Sequence, residues 1–220
     1  MFRAIAFLFK AILGFFAITV LWALVYRFVP PPITPTMLFD GHGATRDWMG
    51  LDTVDRDMAV AAIASEDGNF CSHNGFDYEA IARAWAERQA GQRQRGGSTI
   101  SQQTAKNVFL WQGGGWFRKG LETYFTGLIE LLWGKRRIME VYLNVAETGI
   151  GTYGVNAGSM RYFGHDAGSL SDIEAARIAA VLPSPKSRAA RNPGGWTARY
   201  GNRIAARMRQ VRASPLDDCI

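Results

Sequence analysis

Residues 64–77 read ASEDGNFCSHNGFD. The apolar run Ala59-Val60-Ala61-Ala62-Ile63-Ala64 ends at Ser65 and meets two adjacent acids, Glu66 and Asp67, with no neighbouring base. A plain reading is a helix end followed by a polar loop. A sharper one is a carboxylate held at a cleft wall to move a proton, which needs a pKa nearer the working pH than a salt-bridged Glu has. The rest of the chain decides between them.

At 220 residues there is room for one sizeable domain plus appendages. Lys and Arg outnumber Asp and Glu by 25 to 19, a net charge of +6, which points to an anionic partner: nucleic acid, anionic lipid or a phosphate-bearing substrate. Cys71 and Cys219 have no metal-site spacing, and the sequence leaves their pairing open.

Between Arg3 and Arg27 the sole charge is Lys10, and residues 11–26 (AILGFFAITVLWALVY) are uncharged. Those 23 intervening residues would reach roughly 34 Å as a helix, enough for a hydrocarbon core of about 30 Å. Lys10 can snorkel at one end, and Trp22 and Tyr26 suit the headgroup level at the other. Pro30-Pro31-Pro32 follows in place of a small-residue cleavage site, so a retained anchor is favoured over a cleaved signal. Arg3 and Lys10 place the N-terminus in the cytoplasm. RFVPPPITPT reads as an extended spacer.

From Asp55 onward the pattern is helical. Stretches 58–65, 78–90, 99–110, 119–133, 136–145, 154–162, 171–182 and 197–213 read as helices, with Ser171 and Glu174 as a capping box. No run shows strand alternation. In RGGSTISQQTAKN (95–107), Gly96-Gly97 lets the backbone approach a partner closely. Ser98, Gln102 and Lys106 fall on one helix face beside Gln103, although Thr99-x-x-Gln102 is itself a capping pattern. Arg118 and Lys119 lie within a turn of Glu122, either as a surface ion pair or as a phosphate clamp with an acid beside it. Residues 140–164 are punctuated by glycines, with Asn144 and Glu147 as candidate supporting groups. A lone His73 reads as a packed hydrogen-bonding residue.

Taken together, these stretches resemble the peptidoglycan glycosyltransferases. The likeness rests on Glu66-Asp67-x-x-Phe70-x-x-His73-x-Gly75-Phe76-Asp77, Gly96-Gly97-Ser98-Thr99-Ile100-Ser101-Gln102-Gln103 with Lys106-Asn107, and Arg118-Lys119-x-x-Glu122. Tyr142-Leu143-Asn144, Gly154-Val155, Tyr162-Phe163-Gly164, Glu174-Ala175-Ala176 and Leu182-Pro183 extend it, in the family's order over about 120 residues.

The resemblance implies a mainly α, lysozyme-like glycosyltransferase domain with one N-terminal transmembrane helix. The divisions are a cytoplasmic tail (1–10), an anchor (11–28), a Pro-rich linker (29–50), the domain (51–213) and a tail (214–220). With no transpeptidase domain following, the chain resembles the monofunctional form. The implied activity polymerises lipid II into β-1,4 glycan strands, with inversion and release of polyprenyl pyrophosphate. Glu66 and Glu122 would be the catalytic pair, with Glu66 as base. Ser98, Gln102, Gln103, Lys106, Asn107, Arg118 and Lys119 would bind substrate and pyrophosphate. Glu122 would lie near a divalent cation, magnesium or manganese, and no organic cofactor is implied. Implied partners are lipid II, the growing strand, membrane lipid and other wall-synthesis or division proteins, not nucleic acid. The implied place is the bacterial inner membrane, with the domain periplasmic.

One departure stands out. Family members often carry an Arg shortly before the Arg-Lys pair, where this chain has Gly113-Gly114-Gly115-Trp116. Either Arg118 and Lys119 suffice, another cation substitutes, or activity is reduced. The same apolar, Gly-rich loop reads either as a membrane-dipping segment or as buried core aromatics. A lytic hydrolase and a non-catalytic wall-assembly scaffold are the alternative functions; a hydrolase needs no phosphate clamp, and a scaffold needs neither glutamate.

Overall fold

The computed structural model describes residues 2–91 and 97–220, so Gly96 of the Gly96-Gly97 pair lies outside the described residues. Ten α-helices and a three-stranded sheet are found among them. Helix α1 (Phe2–Phe28) carries the apolar N-terminal run, beginning nine residues before the uncharged stretch because nothing before Lys10 breaks a helix. Its C-terminal half docks on the domain. Thr19 and Ala23 are buried, and the Thr19 and Tyr124 hydroxyls hydrogen-bond at 2.7 Å. Trp133 Nε1 donates to the Ala23 carbonyl at 2.7 Å, and the Trp22 ring meets Phe109 edge-on.

The region 29–50 differs from an extended spacer. Thr34 caps a short helix α2 (Pro35–Leu38), with Pro35 at its first position, where a missing N–H costs nothing. Thr34, Thr36 and Met37 are buried, and Thr36 Oγ1 donates to the Leu110 carbonyl at 3.2 Å. Strand β1 (Thr45–Arg46) then pairs parallel to β3 (Thr152–Tyr153), which pairs antiparallel to β2 (Glu147–Gly149). Strands of two or three residues are too short to show alternation, so no sequence periodicity announces them.

Helix α3 (Arg56–Glu66) is the central strut. Asp55 caps it, and Met58 through Ala64 are all buried. Its alanines admit close packing by α9 (Asp172–Val181), itself rich in buried Ala, and by α10 (Gly195–Arg212). Helix α4 (Tyr78–Gln89) buries no residue fully, unlike the half-buried helix its spacing suggested. Helix α5 (Ile100–Phe109) packs between α6 (Gly115–Leu132) and α7 (Lys135–Val145). Helix α8 (Val155–Phe163) backs the small sheet. Both capping boxes, Thr99/Gln102 and Ser171/Glu174, are formed.

Cys71 and Cys219 form a disulfide that closes 148 residues of chain. It joins the loop after α3 to the segment after α10, where Arg56 also grips Asp217 at 2.8 Å. In the chain-entropy picture a loop of that length contributes about 5 kcal/mol. Cys71→Ser should therefore lower Tm by about 10 °C. Dithiothreitol should do the same to the wild type and nothing further to the variant, as read by thermal denaturation.

Candidate functional site

Glu66 is the last residue of α3, where the helix dipole disfavours negative charge. Burial raises its pKa, opposed by the hydrogen bond from Gln103 and by the charge of Arg188. Its two oxygens are unlike. Oε2 accepts from Gln103 Nε2 at 2.9 Å, while Oε1 is buried without a partner among the described residues. One oxygen thus holds the side chain in place and the other is left to take a proton.

Asp67 has the opposite character. Buried as the C-cap of α3, it accepts from the Ile100 N–H at 2.9 Å and from His73 Nε2 at 2.9 Å. His73 Nδ1 accepts from the Gly75 N–H at 3.1 Å, so Nε2 carries the proton and the ring is spent in structure. Gly75 has φ +90°, and a Cβ there would lie 2.9 Å from side-chain atoms of Glu130 and Thr126. Of the two adjacent acids, Glu66 keeps one oxygen open and Asp67 fastens the start of α5.

Helix α5 presents Gln103, Lys106 and Asn107 to a cleft of about 1080 Å³, which extends past Trp111, Tyr142 and Lys186. The expected stripe of Ser98, Gln102 and Lys106 is corrected here. Gln102 is buried, and its Oε1 accepts from the Thr99 N–H at 3.0 Å, closing the capping box. Ser98 precedes the helix and is exposed. The cleft face is one residue over, because the capping pattern consumed the glutamine three residues after Thr99.

The Arg118/Glu122 pair is no surface contact. Glu122 is buried, its Oε2 takes Arg118 Nη1 at 2.5 Å and its Oε1 takes Lys119 Nζ at 2.5 Å. Burial lowers the Lys106 pKa, while the charge of Glu122 acts in the other direction. Two cations therefore grip one carboxylate, and a third, Lys106, feels its charge. Both oxygens of Glu122 are engaged by the first two, an arrangement that does not fit a protein-held divalent cation, and no group of three metal-ligating side chains exists among the described residues.

Gly114 caps α6 at φ +86°, and a Cβ there would lie 2.9 Å from Arg118 Cβ and 3.0 Å from Trp111 Nε1. Arg118 Nε donates to the Gly113 carbonyl at 2.5 Å, so the glycine loop wraps the guanidinium. Beside it Trp116 and Phe117 are 90% and 73% exposed, which removes the buried-core reading of these two rings.

Tyr142 lines the cleft, a place that no spacing in the sequence signals. Its hydroxyl is buried and without a partner among the described residues, and its pKa is pushed well up by burial and then by the charge of Glu66. Asn144 clamps the chain near residue 49, taking the Met49 N–H and donating to the Met49 carbonyl, both at 2.8 Å. At the far end of the cleft Lys186 bonds Asp40 at 3.0 Å, and Tyr153 OH donates to Asp40 at 2.6 Å. No sequence spacing signals that group, since its members are distant along the chain. Glu147 lines the cleft there, its pKa raised by burial.

A family model described as Transglycosylase matches residues 34–209. A protein named biosynthetic peptidoglycan transglycosylase from Caulobacter vibrioides is 47% identical over 200 residues, 90% of this chain and 87% of its own. Proteins of the same name from Xanthomonas campestris pv. campestris and Pseudomonas putida are 44% and 46% identical, covering 95% and 92% of this chain and 89% of each relative.

The geometry at Gly114 predicts the effect of supplying an Arg there. Gly114→Arg should lower Tm by at least about 4 °C, from the left-handed backbone and the contact with Arg118 together. An unchanged Tm in thermal denaturation would contradict this reading of the loop.

Proposed function

The chain belongs to the transglycosylase family and builds the glycan strands of peptidoglycan, and on that footing we propose how its cleft does so. The donor is a sugar carried on a polyprenyl pyrophosphate, and the acceptor is a second such unit, lipid II. The acceptor's 4-hydroxyl gives its proton to Glu66 Oε1, and the freed oxygen attacks the donor's anomeric carbon. The bond from that carbon to the pyrophosphate breaks, and the configuration inverts from α to β. Lys106, Arg118 and Lys119 take up the charge of the departing pyrophosphate, so electrostatics does the work of a general acid. Glu122 keeps two of those cations aligned before substrate enters. Gln103 holds Glu66, and Asn107 lines the donor side.

The observation that carries this reading is the split environment of Glu66: one oxygen tethered by a neutral amide, the other unpartnered, with the cations grouped around Glu122 instead. A hydrolase acting on a neutral glycan bond has no use for that basic group.

The anchor supports the same reading. Helix α1 is long and apolar enough to cross a membrane, at roughly 40 Å. Its contacts with α6 include Phe15, whose ring lies 5.7 Å from Tyr124. The thirteen residues before it reach only about 20 Å, short of a hydrocarbon core of about 30 Å. The docked face of α6, with Trp116, Phe117 and Leu131 exposed, therefore sits at the membrane surface, where a lipid-linked donor enters the cleft. The Cys71–Cys219 bond suits an oxidising, extracytoplasmic compartment.

Glu66→Gln in the full chain should abolish polymer formation from labelled lipid II. The same variant should match or exceed the wild-type Tm at neutral pH. A carboxyl whose folded pKa is raised binds more protons folded than unfolded, so its ionisation costs stability as pH rises, and the amide avoids that cost. Polymer of wild-type yield from the variant would overturn the assignment of the base.

A further inference from the structure

Lys106, Arg118 and Lys119 account for only part of the chain's basic character. Between Glu174 and Asp217 lie 42 residues with no Asp or Glu and nine Lys or Arg, while the other 178 residues carry a net charge of −3. The positive charge is thus concentrated on α10 and the segment leading into it. Helix α10 buries Thr197, Gly201, Ile204, Met208 and Val211, which turns Arg199, Arg203 and Arg207 outward as one exposed row at four-residue spacing. Successive guanidinium groups along that row start from backbone positions about 6 Å apart.

Three of the segment's six other cations are already engaged. Lys186 holds Asp40, Arg212 holds Asp172 and Asp57, and Arg188 lies 4.1 Å over the Trp196 ring. Arg203 lies 5.7 Å from the Tyr200 ring centroid. Among the described residues, no ion pair joins Arg199, Arg203 or Arg207 to a carboxylate. Like charges at this spacing repel one another, and a partner with repeated anionic groups would relieve that repulsion.

The row is tied to the reaction centre. Tyr200, between the first two of its arginines, donates its hydroxyl to the carbonyl of Ser65 at 3.2 Å, the residue before the base. It is separate from the anchor: α10 packs on α3 and α9, whereas α1 docks on α6 and reaches α5 and α7. A carboxylate-bearing polymer leaving the cleft fits this placement better than a lipid headgroup does.

We propose that Arg199, Arg203 and Arg207 form a tracking surface for the carboxylates of the peptide stems on the glycan strand, paired through guanidinium–carboxylate hydrogen bonds. This rests on the polymerase reading above. Its function is retention: the strand is held beside the base while further units are added.

The test uses full-length protein in detergent and fluorescently labelled, uncross-linked glycan strands, either with intact stems or stripped of them by an amidase. Wild type should bind stem-bearing strands about tenfold more tightly than stripped ones, and the preference should fade as salt rises. The triple variant R199Q/R203Q/R207Q should lose that preference, keep its Tm and its initial rate of lipid II consumption, and make shorter strands. The matching triple Lys variant should keep most of the preference, separating charge from packing. Equal binding of stem-bearing strands by wild type and the Gln variant would overturn the proposal. So would a loss confined to phosphatidylglycerol vesicles, which would make the row a lipid contact. A wild type that shows the binding preference but makes no polymer would contradict the polymerase reading and leave the surface standing.

Discussion

The structure depends on keeping one carboxylate out of water with one oxygen unpaired. Isolated burial of a charge is costly, and the usual remedy is a paired cation. At Glu66 that remedy would defeat the chemistry proposed for it, because a salt bridge would drag the pKa down and occupy the oxygen proposed to accept a proton. A neutral amide, Gln103, gives a single hydrogen bond instead. The strong cations are gathered around Glu122, which holds two of them directly. The two glutamates differ in environment: one is kept nearly bare, and the other is saturated.

Much of the frame around them serves that division. Helix α3 is almost wholly buried, with small side chains that let α9 and α10 close on it, so its last residue is fixed. Asp67 then reaches across to the first N–H of α5 and sets the rotation that brings Gln103 to Glu66 and Lys106 to the cleft. The Cys71–Cys219 bond ties the loop carrying these contacts to the far end of the chain. Among the glycines required where backbone and side chains crowd are Gly75 behind the loop and Gly114 beside Arg118.

Much of this was legible in the residues, and the exceptions have physical causes. The helices from α3 onward begin and end close to where periodicity and capping signals put them, since those signals are local. Thr99-x-x-Gln102 carried two readings at once, and the backbone claimed Gln102 as a cap, leaving Gln103, of the two candidate glutamines, to face Glu66. The proline-rich stretch suggested a spacer, but Pro35 after Thr34 is equally a helix start, and burial of Met37 decided it. The short sheet, the disulfide and the Asp40–Lys186 contact join residues far apart in sequence, which no window along the chain detects. The docking of α1 is of the same kind: hydropathy gives a span, but only Thr19 against Tyr124 and Ala23 against Trp133 show how deep the domain sits.

The most direct measurement of the central claim is the pH dependence of kcat/KM for lipid II polymerisation, in wild type and in Gln103→Ala. A buried base must be deprotonated to act, so activity should rise with pH through a limb that lies above the ordinary carboxylate range. Removing the Gln103 hydrogen bond, which stabilises the carboxylate form, should move that limb to still higher pH. A limb at the ordinary carboxylate position in wild type, or one that Gln103→Ala leaves in place, would contradict the account.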